Sequence, residues 1–201
     1  MAPSPSPEIT LRTDEAELLL DIADAAIVAG LRGRLPLAPD PADLPAALGA
    51  KVATFVTLTV LGELNGCIGS IEGFEPLGVS VARHAWAAAF SDPRLPALRR
   101  SDYEHLTIDV SILSPLAEIP VGSHHELIAE LRPHVDGLLI ETGRQRAVFL
   151  PVVWEALPRP DEFLDHLYAK AGLVPGSWPD HMQAFRFTTE KISRGVDRVS
   201  C

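Results

Sequence analysis

Two stretches of the chain alternate with a period of two. Val52, Thr54, Val56, Leu58 and Val60 interleave with Ala53, Phe55, Thr57 and Thr59, and Leu106, Ile108, Val110 and Ile112 interleave with Thr107, Asp109 and Ser111. That period sends successive side chains to opposite faces of an extended chain, so both stretches predict strands. Gly62 allows a turn after the first, and residues 64 to 71 return antiparallel to it. In the returning strand Asn65, Cys67 and Gly69 share one face, the small polar set toward a cleft. Leu64, Gly66 and Ile68 share the other, the aliphatic set toward the core. Asn65-Gly66 is also a strong hairpin-turn dipeptide, and the residues themselves leave the two placements open.

Elsewhere the spacing is helical. Thr13 predicts an N-cap for a helix over 14–29, with Asp14 and Glu15 at the positive end of its dipole. Leu18, Ile22, Ala25, Ala26 and Ala29 form its apolar face, and Gly30 its stop. Residues 77–91 form a helix apolar on most sides, with Ser80, Arg83, His84, Ala87 and Ser91 as a narrow polar stripe, which predicts burial on most sides. Asp92-Pro93 ends it, and Pro93 and Pro96 stiffen the loop that presents Arg94. Four prolines within 33–50 predict a loop or short helical turns. Ser123-His124-His125-Glu126 has the form of a capping box, with the histidines on an exposed first turn. Residues 138–141 and 147–150 predict a hairpin around Thr142-Gly143. A helix follows from near Asp161 to Gly172, with Phe163, Leu167 and Ala171 inward, and residues 184–189 predict a last strand returning to the larger sheet.

A length of 201 residues suits one domain or two small subdomains, and a net charge of −10 argues against a nucleic-acid phosphate partner. Residues 1–10 read as a disordered leader without the basic start and apolar core of a signal peptide, and no apolar run approaches a membrane span. With Cys67 and Cys201 as the only cysteines, both are expected as free thiols in a reducing cytoplasm. No phosphate-cradling loop, dinucleotide fingerprint or metal-ligand cluster is present, so no cofactor and no metal are expected.

The candidate chemistry centres on Cys67, a thiol between Gly66 and Gly69 where backbone or ligand can approach closely. A nucleophilic thiol needs a base or a positive field. His84 and His105 are available in composition, but each reads as a surface or packing histidine. Arg94 on its stiffened loop suits bidentate recognition of a carboxylate or phosphate, or an internal salt bridge. Trp86, Phe90 and Trp154 read as core aromatics.

Leu64-Asn65-Gly66-Cys67-Ile68-Gly69 is followed in order by Ala87-Ala88-Ala89-Phe90-Ser91-Asp92-Pro93-Arg94, Ser111-Ile112-Leu113-Ser114-Pro115, residues 136–141, Phe149-Leu150-Pro151-Val152-Val153-Trp154 and Lys170-Ala171-Gly172-Leu173. This ordered series resembles the AMMECR domain family, whose bacterial members are called protein A of the AmmeMemoRadiSam system. The resemblance implies an α+β fold of two subdomains: a larger antiparallel sheet with helices containing both termini, a smaller α/β subdomain, and a cleft between them. On this chain that places the larger subdomain at 11–118 plus 181–198 and the smaller at 119–180. The family hexapeptide, Leu-Arg-Gly-Cys-Ile-Gly, has arginine where this chain has Asn65. The resemblance further implies a cleft that binds a peptide, protein segment or bulky small molecule beside radical-SAM and dioxygenase-like companions, through Leu64, Asn65, Gly66, Ile68, Gly69 and Arg94. The alternative is a cysteine-dependent enzyme with Cys67 as its catalytic residue.

Overall fold

The computed structural model describes residues 9–196. Residues 1–8 of the expected leader, and Cys201, lie outside them. The chain divides into two compact units, residues up to Ser114 with those from Glu190, and Pro115–Thr189.

In the larger unit α1 (Thr13–Leu31) and α3 (Leu77–Phe90) pack on a sheet of four strands, β1 (Thr54–Val60), β2 (Glu63–Ser70), β3 (Leu106–Leu113) and β8 (Thr189–Gly195), in the order β2-β1-β3-β8. The inward-facing Val56, Leu58, Ile108 and Val110 meet Leu19, Ala23, Ile27, Val81 and Ala85 in one core. Ile9 and Val196, at the two described ends, pack on that core as well. Between α1 and β1 the proline-rich stretch makes a 3₁₀ turn (Pro41–Asp43) and a short α2 (Ala46–Gly49).

Three details of α1 differ from expectation. Arg12, not Thr13, is the N-cap, and its N–H donates to the Glu15 carboxylate at 3.0 Å. The buried face is Leu19, Leu20, Ala23, Ala26 and Ile27, while Leu18 is 38% exposed. Leu18-Leu19-Leu20 offers adjacent stripes of nearly equal apolarity, and packing selects the one that meets the sheet. Gly30 does not stop the helix, which continues to Leu31. It admits the Phe90 ring, whose nearest carbon would stand 2.0 Å from a Cβ there.

The β1–β2 hairpin turns at Leu61-Gly62, with φ of 52° and 85°. Two consecutive left-handed residues form the tight turn whose twist suits a hairpin, so Asn65-Gly66 lies within the strand. Pairing shifts there: Leu58 opposes Gly66 and Thr59 opposes Leu64, leaving Asn65 as a bulge. The alternation therefore breaks, and Leu64 is 48% exposed rather than inward. In α3 the expected polar stripe is partly interior, since Ser80 and His84 are both buried.

The smaller unit is a sheet in the order β4-β7-β5-β6, built from β4 (Ala117–Glu118), β5 (Gly137–Thr142), β6 (Gln145–Phe149) and β7 (Gln183–Phe187), with α4 (His124–Glu130) and α5 (Pro160–Ala171). Trp154 and Phe163 stack at 3.8 Å in its core. Gly172, at φ 71°, ends α5 as expected. At α4 the Ser123 hydroxyl accepts from the Glu126 N–H, and His124 packs edge-on against Tyr168 rather than standing in solvent. The strand expected at 184–189 to join the larger sheet belongs here instead. Phe187 lies over Gly137, where a Cβ would stand 2.4 Å from the ring, and β8 is the strand that joins β3.

Candidate functional site

Cys67 lies on β2 opposite Thr57 of β1. The Thr57 hydroxyl donates to its Sγ at 3.3 Å, and the residue is half-buried. The flanking glycines serve close packing. A Cβ at Gly66 would stand 1.9 Å from the Ala88 carbonyl oxygen of α3, and one at Gly69 would stand 2.3 Å from the Phe55 ring. Close approach was the expected use of these glycines, and α3 and Phe55 are what approaches.

The peptide groups of Cys67 are held from the loop after α3. Asp92-Pro93-Arg94-Leu95 makes a turn closed by Leu95 N–H to the Asp92 carbonyl at 3.3 Å, with proline at the position whose φ it presets. Within this turn the buried Asp92 carboxylate gathers four donors. Oδ1 accepts from the Arg94 N–H at 3.1 Å and from Nε at 2.9 Å. Oδ2 accepts from Arg94 Nη2 at 2.6 Å and from the Cys67 N–H at 3.0 Å. Arg94 Nη2 also donates to the Cys67 carbonyl at 3.0 Å. The Arg94 guanidinium, with the N–H donors, holds the Asp92 carboxyl well below the usual carboxylate range. A planar two-donor fork matched to a carboxylate accounts for the arginine.

Arg94 is thus an internal ion-pair partner whose side chain is still 62% exposed. Cys67 and Arg94 meet through the Cys67 backbone. Ile68 packs half-buried on the larger core, and the Asn65 Oδ1 is buried without a hydrogen-bond partner. Neither candidate histidine hydrogen-bonds the thiol. His84 is buried, its Nδ1 unpartnered, and burial pushes its pKa down to about 4. His105 lies near Glu104, at 3.7 Å. Arg99 and Arg100 are exposed.

Asp92 and Thr57 were missed as site residues. Asp-Pro after a helix reads as a stop signal, and nothing local shows that its carboxylate reaches a strand 25 residues earlier. Thr57 reads as one polar member of an alternating strand, and only register places it against the thiol. It also opposes Asp109 of β3, whose carboxylate pairs with Lys191 at 2.8 Å. Among the described residues no group of three or more His, Cys, Asp or Glu side chains could hold a metal ion, and no helix is long and apolar enough to cross a membrane.

A family model described as AMMECR1 matches residues 20–192. A curated protein of Methanothermobacter thermautotrophicus is 36% identical over 186 residues, covering 90% of this chain and 94% of that protein. Protein TK0174 of Thermococcus kodakarensis is 32% identical over 191 residues, with 90% of each covered. The crystal structure of an uncharacterized protein, PH0010 from Pyrococcus horikoshii, superposes with a TM-score of 0.82 at 30% identity, covering 92% of this chain and 93% of that one.

Proposed function

The chain belongs to the AMMECR1 family, and on that premise we propose that it is a binding module whose recognition surface is the Cys67 side of β2 and β1, rimmed by Arg94. The observation that carries this reading is the Asp92–Arg94 fork. It fixes the peptide groups of Cys67 on both sides while the residue stays partly exposed. A surface held this rigidly loses little entropy when a ligand is seated on it. The ligand class is a peptide, protein segment or bulky small molecule, met in the cytoplasm beside radical-SAM and dioxygenase-like companions. The exposed part of the Arg94 guanidinium favours a ligand that carries a carboxylate or phosphate.

The alternative, a cysteine-dependent enzyme, is less well supported because the hydrogen-bond partner of Sγ is the Thr57 hydroxyl and no histidine bonds to it. A hydroxyl at its ordinary pKa does not activate a thiol. Alkylation by iodoacetamide at neutral pH, mapped by mass spectrometry, separates the two. A binding surface leaves Cys67 no faster than the same thiol in the urea-unfolded chain. A rate many times faster makes Cys67 an activated nucleophile and overturns the proposal.

A further inference from the structure

β2 is an edge of the larger sheet and runs for eight residues with one charged side chain, Glu63. A long edge strand of low charge presents a row of outward N–H and C=O groups that can template a further strand, and lysines or prolines commonly prevent it. β2 has neither. At Cys67 the outward pair is already occupied. The Asp92 carboxylate accepts the N–H at 3.0 Å and the Arg94 guanidinium donates to the C=O at 3.0 Å, which are the two bonds an added strand would make. The bulge at Asn65 interrupts the same edge two residues earlier.

We infer that the Asp92–Arg94 fork is an edge guard that closes the centre of β2 to strand addition, and that the strand it excludes is β2 of a second copy of this chain. An identical edge is self-complementary about a two-fold axis, so antiparallel β2–β2 pairing centred on Cys67 would satisfy both copies alike. A hydrogen-bonded antiparallel pair brings its Cα atoms to about 5.5 Å, within disulfide reach. A peptide ligand then reaches Cys67 over the face of the sheet and not along its edge.

The test uses the full chain carrying Cys201→Ser, so that Cys67 is the one thiol. With both guarding groups removed in Asp92→Ala/Arg94→Ala, the apparent mass by light scattering rises toward twice that of the unsubstituted protein at equal concentration. Diamide, which takes up the two protons and two electrons released, then captures a Cys67–Cys67 disulfide. Arg132→Ala, which breaks a similar ion pair to the buried Asp136 of the smaller unit, gives neither result. Equal association or crosslinking in Arg132→Ala, or a folded Asp92→Ala/Arg94→Ala that behaves as the parent, overturns the inference. Because Asp92→Ala/Arg94→Ala could fail to fold, the intact protein supplies an independent measurement. The Cys67 amide must exchange with solvent as slowly as the amides paired between β1 and β3, and exchange as fast as an unpaired edge amide overturns the guard.

Discussion

Each unit contains a buried aspartate held by an arginine fork, and the two forks do different things. In the larger unit the order is Asp92-Pro93-Arg94; in the smaller it is Arg132-Pro133-His134-Val135-Asp136. Asp136 is fully buried and accepts from the Arg132 N–H at 3.0 Å, Nε at 3.0 Å and Nη2 at 2.5 Å, with Arg186 a further 3.7 Å away. Its carbonyl takes the Trp154 indole N–H at 2.7 Å. All of these partners belong to the smaller unit, so this fork joins its own loop to its own core. Asp92 accepts the same three Arg94 donors and adds a fourth from another element, Cys67. One carboxylate–guanidinium geometry is thus structural in one place and shapes a candidate site in the other. The difference lies in where the spare acceptor capacity points.

Acid should separate the two units most strongly. His84 lies in the larger unit with its pKa lowered from 6.5 to about 4, so it is neutral when folded, whereas the unfolded chain takes up a proton. Its contribution is complete above pH 6.5 and is lost as pH falls toward 4, amounting to about 3 kcal/mol at 1.36 kcal/mol per pH unit. Asp92 adds to the loss only below its ordinary 3.8, as pH falls toward its lowered folded value. Between pH 6.5 and 4, Trp86 fluorescence in the larger unit should report a falling denaturation midpoint before the tryptophans of the smaller unit do, with Trp86→Phe to separate the signals. Coincident shifts at both would remove the distinction.

Arg94→Ala should come next. It strands a buried carboxylate, but Arg94 is 62% exposed and partly screened, which brings the cost to about 2 kcal/mol, below the 3–5 of an enclosed pair. In urea titrations Arg132→Ala should lose less, because Arg186 remains beside Asp136. The reverse order would mean that the second cation does not compensate.

Ile68→Ala should cost about 1–2 kcal/mol, since Ile68 is half-buried on the larger core and gives up only part of the usual transfer and cavity terms. Leu167→Ala, fully buried in the smaller core, should cost more than twice as much in the same titration. Equal losses would show that β2 packs as tightly as α5.

Local chemistry made much of this fold legible. Period-two runs marked β1 and β3, Gly172 marked the end of α5, and the motif series led to the family. What escaped the sequence depended on distant partners. Alternation through 184–189 cannot say which sheet receives the strand, and a Phe187 ring over Gly137 decides it. A bulge of one residue at Asn65 exposed Leu64, a departure that alternation cannot anticipate. Cys67 and Arg94 were both visible as candidates, yet the residue that joins them, Asp92, acts across 25 positions and looked like punctuation.

The smallest expected effect falls on the thiol itself. Cys67→Ser leaves the peptide groups that Asp92 and Arg94 hold untouched, and serine can accept the Thr57 hydroxyl as sulfur does. The side chain is half-buried, so little apolar surface is lost, and the cost should stay below about 1 kcal/mol. Urea midpoints for Cys67→Ser and Thr57→Val, alone and combined, measure the side-chain contact separately from the backbone fork. A small coupling beside the larger Arg94→Ala loss places the stability of the site in its backbone and leaves the thiol free for recognition. A loss from Cys67→Ser as large as that from Arg94→Ala would make the thiol a packing group. The two forks would then be alike in function as well as in geometry.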